Sequence, residues 1–436
     1  VNAAPLRKTR ASDLRSALGI AMPLQQRALL LRCCASNIYR RPCSGAATTR
    51  LARFVLNAAP MSQEAFAIAE PLAQEFAVDA VARDQRGGTP KRQRDRLRQS
   101  GLLNLIIPKE LGGLGADWQD TLRIVRRIAE VDSALAHVFG FQHLLLATVR
   151  LFGARAQWTE LASATVRHRW FWGNALNPRD ERTRSLPVAG ARLFRGTKSF
   201  CSGARDADML IVSAIQEGEK RLVVAAIPSS RAGITINDDW DNMGQRQTDS
   251  GSVEFTDVRV EEREILSSPG PLGSPFASLR PCIAQLTLAN VFLGVAEGAL
   301  KAARAQVRPA PSQDPHLVRH AGKLWLELEA ARLLVERAGE ALQAAWSTGE
   351  SLDERARGET AIAIATAKAF TTRAGLDVAT RIFEIVGPRG TTAALGFDRY
   401  WRNLRTLTLH DPVDHKLHEL GQFALHGTLP TPSFYS

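Results

Sequence analysis

The chain has 436 residues, 45% of them hydrophobic and 23% charged, which is enough to bury a large core spread over two or three packed subdomains. Its net charge of +12 is concentrated at the start: residues 1 to 60 hold Lys8 and nine arginines against the single acid Asp13, a net +9, so the remainder carries only +3. A near-neutral body without a zinc-knuckle or aromatic-basic motif excludes nucleic acid as the partner, and no uninterrupted apolar run approaches the ~18 residues that cross a bilayer, which excludes a membrane-spanning reading.

Residues 1–60 lack the helix-then-turn organisation of the rest of the chain and are expected to lie outside the fold. Their Arg-rich, Ser-containing, acid-poor composition fits an organelle transit peptide, but the favoured reading is upstream sequence translated through a misassigned start. At Met61 the stretch MSQEAFAIAEPLAQEFA offers Ser62 as an N-cap and Glu64 in the first turn, so the body is expected to begin there. The body contains only two cysteines, Cys201 and Cys282, far apart, which suggests a reducing, cytoplasmic setting in which each is a buried small apolar residue.

From Glu64 to Arg167, Ala and Leu recur at helical spacings, interrupted by Pro108 and the Gly112, Gly113, Gly115 cluster, giving a helical domain over 61–168. Short β-type runs come next, MLIVSAI (209–215), RLVVAAI (221–227) and SVEFTDVRV (252–260), predicting an antiparallel β domain over 169–268. Beyond the Pro- and Gly-rich linker 269–275, helical stretches at 283–306, 316–347 and 354–386 predict a four-helix bundle over 276–436. The segment HDPVDHKLHE has metal-ligand residue types. However, Pro412 at the first helical position with Asp411 as N-cap would leave His410 outside the helix carrying Asp414, His415 and His418, so no metal site is expected. The chain contains no strand-linked GxGxxG, no P-loop and no GxSxG, and so offers no recognisable site for NAD(P)H, a nucleoside triphosphate or a serine nucleophile.

Several motifs, in order, resemble the acyl-CoA dehydrogenase superfamily from about Met61 to Ser436: GLLNLIIPKELGGLG (101–115), GTKSFCSGARDADMLIVSA (196–214) and VEFTDVRV (253–260). WDNMGQRQTDSG (240–251), LANVFLGVAEGAL (288–300), FDRYWRNLRTLTLHDPVDHK (397–416) and PTPSFYS (430–436) are similar to one branch, the dibenzothiophene monooxygenase and sulfur-acquisition oxidoreductases. The resemblance implies an α+β fold of N-terminal helical domain, central antiparallel β domain and C-terminal bundle.

Acyl-CoA oxidation requires a carboxylate at the substrate α-carbon. The two family positions for it fall on Leu409–Pro412 and on Thr287, Leu288 and Ala289, with no glutamate at either, although Glu297 is nearby. The branch instead implies the oxygenase component of a two-component monooxygenase, receiving reduced FMN from a separate reductase. It would act with dioxygen on a small apolar, possibly organosulfur, substrate through a flavin C4a-hydroperoxide, and assemble as a homotetramer.

By the same resemblance His410 is the proton donor and acceptor, Ser202 lies against the flavin N5 edge, and Asn174 and His137 are further pocket groups. Phe200 packs on the isoalloxazine, while Arg308 and Arg389 hold the flavin phosphate, the latter from a neighbouring subunit. Three alternatives stay open: an FAD-dependent acyl-CoA dehydrogenase with an unrecognised base, a nitroalkane-oxidase-like enzyme using Asp411, and a catalytically silent scaffold.

Overall fold

The structure, a computed structural model, describes residues 63–307 and 314–436. The expectations for residues 1–60, for Ser62 as a cap and for Arg308 lie outside the described residues.

Helices come first: α1 (Gln63–Ala77), α2 (Ala80–Arg86), α3 (Lys91–Ser100), α4 (Trp118–Ala129), α5 (Ser133–Phe152) and α6 (Arg155–His168). The start of α4 is fixed by Asp117, whose carboxylate accepts the Asp120 N–H at 2.7 Å, and that of α5 by Asp132, which accepts from Leu135 N–H at 2.9 Å. Between α3 and α4 the chain folds back so tightly that a side chain at Gly113 would begin 2.0 Å from the Ile107 carbonyl oxygen; the glycine there is a packing requirement.

The sheet contains β1 (Trp172–Ala175), β2 (Arg184–Val188), β3 (Ala191–Lys198), β4 (Met209–Gln216), β5 (Leu222–Pro228), β6 (Ile234–Ile236) and β7 (Val253–Glu261). Its order is β1-β4-β2-β3-β7-β6, with β5 pairing β4. The three predicted strands are β4, β5 and β7, each within a residue or two of its expected bounds. Four pairings are antiparallel, as expected, but β4 runs parallel to both β1 and β2. That departure follows from burial: every residue of β4 is buried, so it is an interior strand with neighbours on both edges, and the chain reaches those neighbours through connections longer than hairpins.

The last segment holds α7 (Leu279–Gln306), α8 (Pro315–Thr348), α9 (Glu354–Arg381), the short α10 (Phe383–Val386), α11 (Asp398–Thr408) and α12 (Val413–His426). The long α7 packs on α8 and α9 and also on α4 and α5, and so joins the bundle to the first helices; α11 and α12 lie on α9. Both α5 and α7 are long and apolar enough to cross a membrane when occasional charges are tolerated, yet both are mostly buried inside the fold, as core helices are. The start of α12 differs by one residue from expectation. Pro412 is its cap and the Asp411 carboxylate accepts no hydrogen bond, so Asp411 does not cap the helix.

The interior of α5 carries His143, fully buried against Phe139 with a ring separation of 4.9 Å and no partner for either ring nitrogen. Burial lowers its pKa from 6.5 to about 3. Between those values the folded chain binds fewer protons than the unfolded one. Stability present above pH 6.5 is therefore lost as the pH falls toward 3, at ~1.4 kcal/mol per pH unit for the one group. We predict that His143→Leu flattens the acid limb of stability by about one proton, measured by urea unfolding between pH 6.5 and 4; an unchanged slope would contradict burial as the cause.

Candidate active site

A cavity of about 530 Å³ opens where α5, the sheet, the start of α7, the end of α11 and residues 434–435 meet. Its lining includes His137, Asn174, Phe200, Ser202 and His410, so five of the seven expected site residues converge on one space. Arg389 does not. It is exposed in the turn Pro388–Thr391 and stands apart from the cavity of its own chain.

One wall is the 240–251 loop, which is held against α11 by close backbone contact. Gln245 N–H donates to Asn403 Oδ1 at 2.6 Å, and Arg402 donates to the Met243 carbonyl at 2.7 Å. Trp240 Nε1–H closes the loop on itself by donating to the Gln245 carbonyl at 2.8 Å.

This docking sets the direction of a hydroxyl chain. Thr248 Oγ1 donates its one hydrogen to the Gln245 carbonyl at 2.9 Å. It must therefore accept from Ser250 Oγ, 2.7 Å away, and Ser250 must in turn accept from Ser202 Oγ at 2.8 Å. The proton of Ser202 is committed to this chain, which leaves its lone pairs to face the cavity. Asn174 is oriented the opposite way: its Oδ1 accepts the Leu176 N–H at 3.3 Å, so its amide nitrogen presents donors. An acceptor and a donor thus stand on strands and loops joined by the 2.9 Å bond from Asn174 N–H to the Ser202 carbonyl.

Phe200 stands at the mouth, 60% exposed, with φ +59 and its ring edge-on to Trp240 at 6.1 Å. A bulky residue held at positive φ is costly, and such conformations cluster at ligand sites. Deeper in, His137, Phe141 and His410 stack edge to face, with ring separations of 4.4 and 6.3 Å. The His137 pKa is lowered to about 3 by burial and then by His410. That of His410 is lowered to about 4 by loss of hydration and then by Lys368, against the attraction of Asp411. His410 as a residue is exposed, and it lines the cavity. Both imidazoles are neutral near pH 7, each with one N–H donor and one nitrogen acceptor.

Asp411 is the only carboxylate among the described lining residues, and neither of its oxygens has a hydrogen-bond partner. Thr287 and Ala289 are buried outside the lining, Leu288 contributes only an alkyl surface, and Glu297 is paired with Arg332 at 2.6 Å. No glutamate is among the described lining residues.

Ser250, Gln245, Trp240 and Tyr435 fall within the family-like motifs, but sequence reasoning gave them no role, and it missed Arg280 altogether. The available signal for Arg280 was a cation within the otherwise uncharged stretch LRPCIAQLTLANVFLGVA.

The chain belongs to the acyl-CoA dehydrogenase family: its N-terminal domain matches residues 63–167, its middle domain 183–258 and its C-terminal domain 282–411. Within that family it is 55% identical over 384 residues to the probable FMNH2-dependent monooxygenase SfnC of Pseudomonas putida, covering 85% of this chain and 97% of that one. The structure of methanesulfinate monooxygenase MsuC from Pseudomonas fluorescens is similar at a TM-score of 0.83 and 55% identity, covering 87% of this chain and all of the other. FMN-bound TdsC from Paenibacillus sp. A11-2 is similar at 0.81 and 38%, covering 85% and 100%.

Loop docking depends on Gly244, where a Cβ would fall 2.1 Å from the Arg402 carbonyl oxygen. Gly244→Ala should cost about 1–3 kcal/mol of stability and weaken flavin binding together, by urea unfolding and FMN titration. Unchanged values for both would show that the loop does not need this contact.

Proposed function

We propose that this chain is the oxygenase component of a two-component system, a monooxygenase that takes reduced FMN from a separate reductase and oxygenates a small organosulfur compound. The observation that carries the reading is the inner face of the cavity, where a directed acceptor, a directed donor and two neutral histidines face one space with no glutamate among its described lining residues. The enzyme is a flavin-dependent oxidoreductase of its family, and the FMN-bound relative favours FMN over FAD.

The residues fit a flavin. Phe200 and Trp240 offer aromatic surface at the mouth, and the volume accommodates a ring system with a small substrate beside it. Reduced flavin carries hydrogen on N5 where oxidised flavin has a lone pair, so the acceptor at Ser202, expected at that edge, matches the reduced form. Bound reduced FMN supplies two electrons to dioxygen, so that one oxygen atom reaches sulfur and the other leaves as water; the C4a-hydroperoxide implied by the family branch belongs to this proposal. Asn174 supplies N–H to oxygen beside Ser202, and His410 holds or returns a proton at its ring nitrogen. The enclosing wall of Leu144, Leu288 and Phe141 keeps water from diverting the reaction. Arg389, exposed on its own chain, would reach the FMN phosphate of a neighbouring subunit. The exposed Trp325, Leu326 and Leu333 on α8 support a homotetramer.

The unpartnered Asp411 favours one second reading, a base that abstracts an acidic C–H proton as in nitroalkane oxidation. Under the main reading, neither nitroethane nor acyl-CoA thioesters should bleach bound oxidised FMN anaerobically; rapid bleaching by either would replace the assignment.

His410→Ala should retain FMN and continue to consume oxygen when given reduced FMN, but release hydrogen peroxide while oxygenated product falls about a hundredfold. Coupled turnover at the parent rate would remove His410 from the mechanism. Ser250→Ala frees the Ser202 proton to reorient, so the preference for reduced over oxidised FMN should shrink several-fold in paired anaerobic and aerobic titrations. An unchanged ratio would show that the hydroxyl chain does not select the redox state.

A further inference from the structure

Met243 lines the cavity together with Asn242 and Gln245 of the same loop, and it is 46% exposed. Its backbone is held on both sides. The Met243 carbonyl accepts from Arg402 at 2.7 Å, and at the next residue, Gly244, a Cβ would fall 2.1 Å from the Arg402 carbonyl oxygen. One position further, Gln245 N–H donates to Asn403 Oδ1 at 2.6 Å. Residue 243 is therefore kept at the mouth with Trp240, while its unbranched side chain has three rotatable bonds with which to turn into the space.

Sulfur is scarce in the chain: its methionines are Met22, Met61, Met209 and Met243, and only the last two are among the described residues. Met209 is on the interior strand β4 and 4% exposed. Cys201 and Cys282 are buried outside the lining, and burial raises both thiol pKa values, that of Cys201 to about 12, so neither offers a thiolate. Among the described residues, Met243 alone is an exposed sulfur residue at the cavity. A thioether keeps lone pairs on sulfur and is oxidised to a sulfoxide, the same reactivity that an organosulfur substrate brings to this space. Being tethered there, it meets the site at a high effective concentration.

We propose that Met243 is a modification site: when the cavity holds no substrate, its thioether takes the oxygen atom and becomes methionine sulfoxide. This rests on the monooxygenase reading for its chemistry. A sulfur lone pair forms the new S–O bond to one oxygen of dioxygen as the O–O bond breaks. The second oxygen leaves as water with the two electrons and two hydrogens of reduced FMN, which ends as oxidised FMN, so no other oxidant or reductant is consumed. A bound substrate protects Met243 by occupying the space and by reacting first. The sulfoxide is polar and accepts hydrogen bonds where the thioether offers apolar surface, so the modification alters the mouth that Phe200 and Trp240 share with it.

The test gives the full chain reduced FMN and ¹⁸O₂ without substrate, with catalase present to destroy free hydrogen peroxide, and weighs the digested methionine peptides by mass spectrometry. Met243 should gain ¹⁸O about tenfold more than Met209, and excess methanesulfinate should suppress the gain. A second measurement needs no turnover: bound oxidised FMN should slow the oxidation of Met243 by added hydrogen peroxide several-fold. Label on Met243 no greater than on Met209, loss of the label when catalase is added, or equal peroxide oxidation with and without FMN would each overturn the proposal. If methanesulfinate is oxygenated while Met243 stays unlabelled, the modification site fails and the monooxygenase reading stands. If Met243 is labelled as stated but no added organosulfur compound is oxygenated, the site stands and the substrate reading fails.

Discussion

The 2.6 Å hydrogen bond from Gln245 N–H to Asn403 Oδ1 joins residues that are 158 positions apart, and the site depends on it. The loop it anchors is fastened from other directions as well. Arg83 donates to Gln247 at 2.9 Å, Arg94 pairs with Asp249 at 2.9 Å, and Arg402 bridges Met243 to Asp84 at 2.6 Å. The first helices and the bundle therefore meet on one twelve-residue segment, which leads directly into β7. Buried charge pairs contribute little net stability once desolvation is counted, but breaking one leaves an uncompensated charge, so such pairs hold a geometry more than they stabilise a fold. Here the geometry held is the row of hydroxyls behind Ser202.

Within the space so formed, polarity is arranged by commitment of hydrogens. Thr248 gives its proton to a backbone carbonyl, and that single fact makes Ser202 an acceptor two bonds away. Asn174 is turned into a donor by a backbone N–H on its oxygen. Burial keeps His137 neutral, and loss of hydration at the cavity wall followed by repulsion from Lys368 does the same for His410, so the cavity holds a proton donor and acceptor without holding extra positive charge. The buried cation in the lining is Arg280, at the start of the helix that also joins the bundle to the first helices.

The long helices were legible because three- and four-residue apolar spacing persists over many turns, and β4, β5 and β7 because their β-branched runs are bounded by turn residues. β1 is four residues, WGNA, with nothing to separate it from a loop in sequence; it becomes a strand by pairing with β4. The five expected residues that line the cavity were picked out through motifs, since Ser202 and Asn174 alone read as turn residues and His137 as packed core. The direction of the hydroxyl chain was not legible, because it requires knowing that Thr248 lies against the Gln245 carbonyl. Arg280 was missed because a lone arginine ordinarily lies at the surface, and only the fold places it on the cavity. Asp411 as a helix cap failed because Pro412 takes the cap position, which leaves the Asp411 carboxylate buried beside the cavity and accepting no hydrogen bond.

Under the proposed function, this cavity directs one atom of dioxygen onto sulfur at the expense of reduced FMN. Isotope labelling tests that most directly: with reduced FMN, methanesulfinate and ¹⁸O₂ in unlabelled water, the sulfonate should carry one ¹⁸O and water the other. Sulfonate free of label, or label appearing only as hydrogen peroxide, would contradict the account.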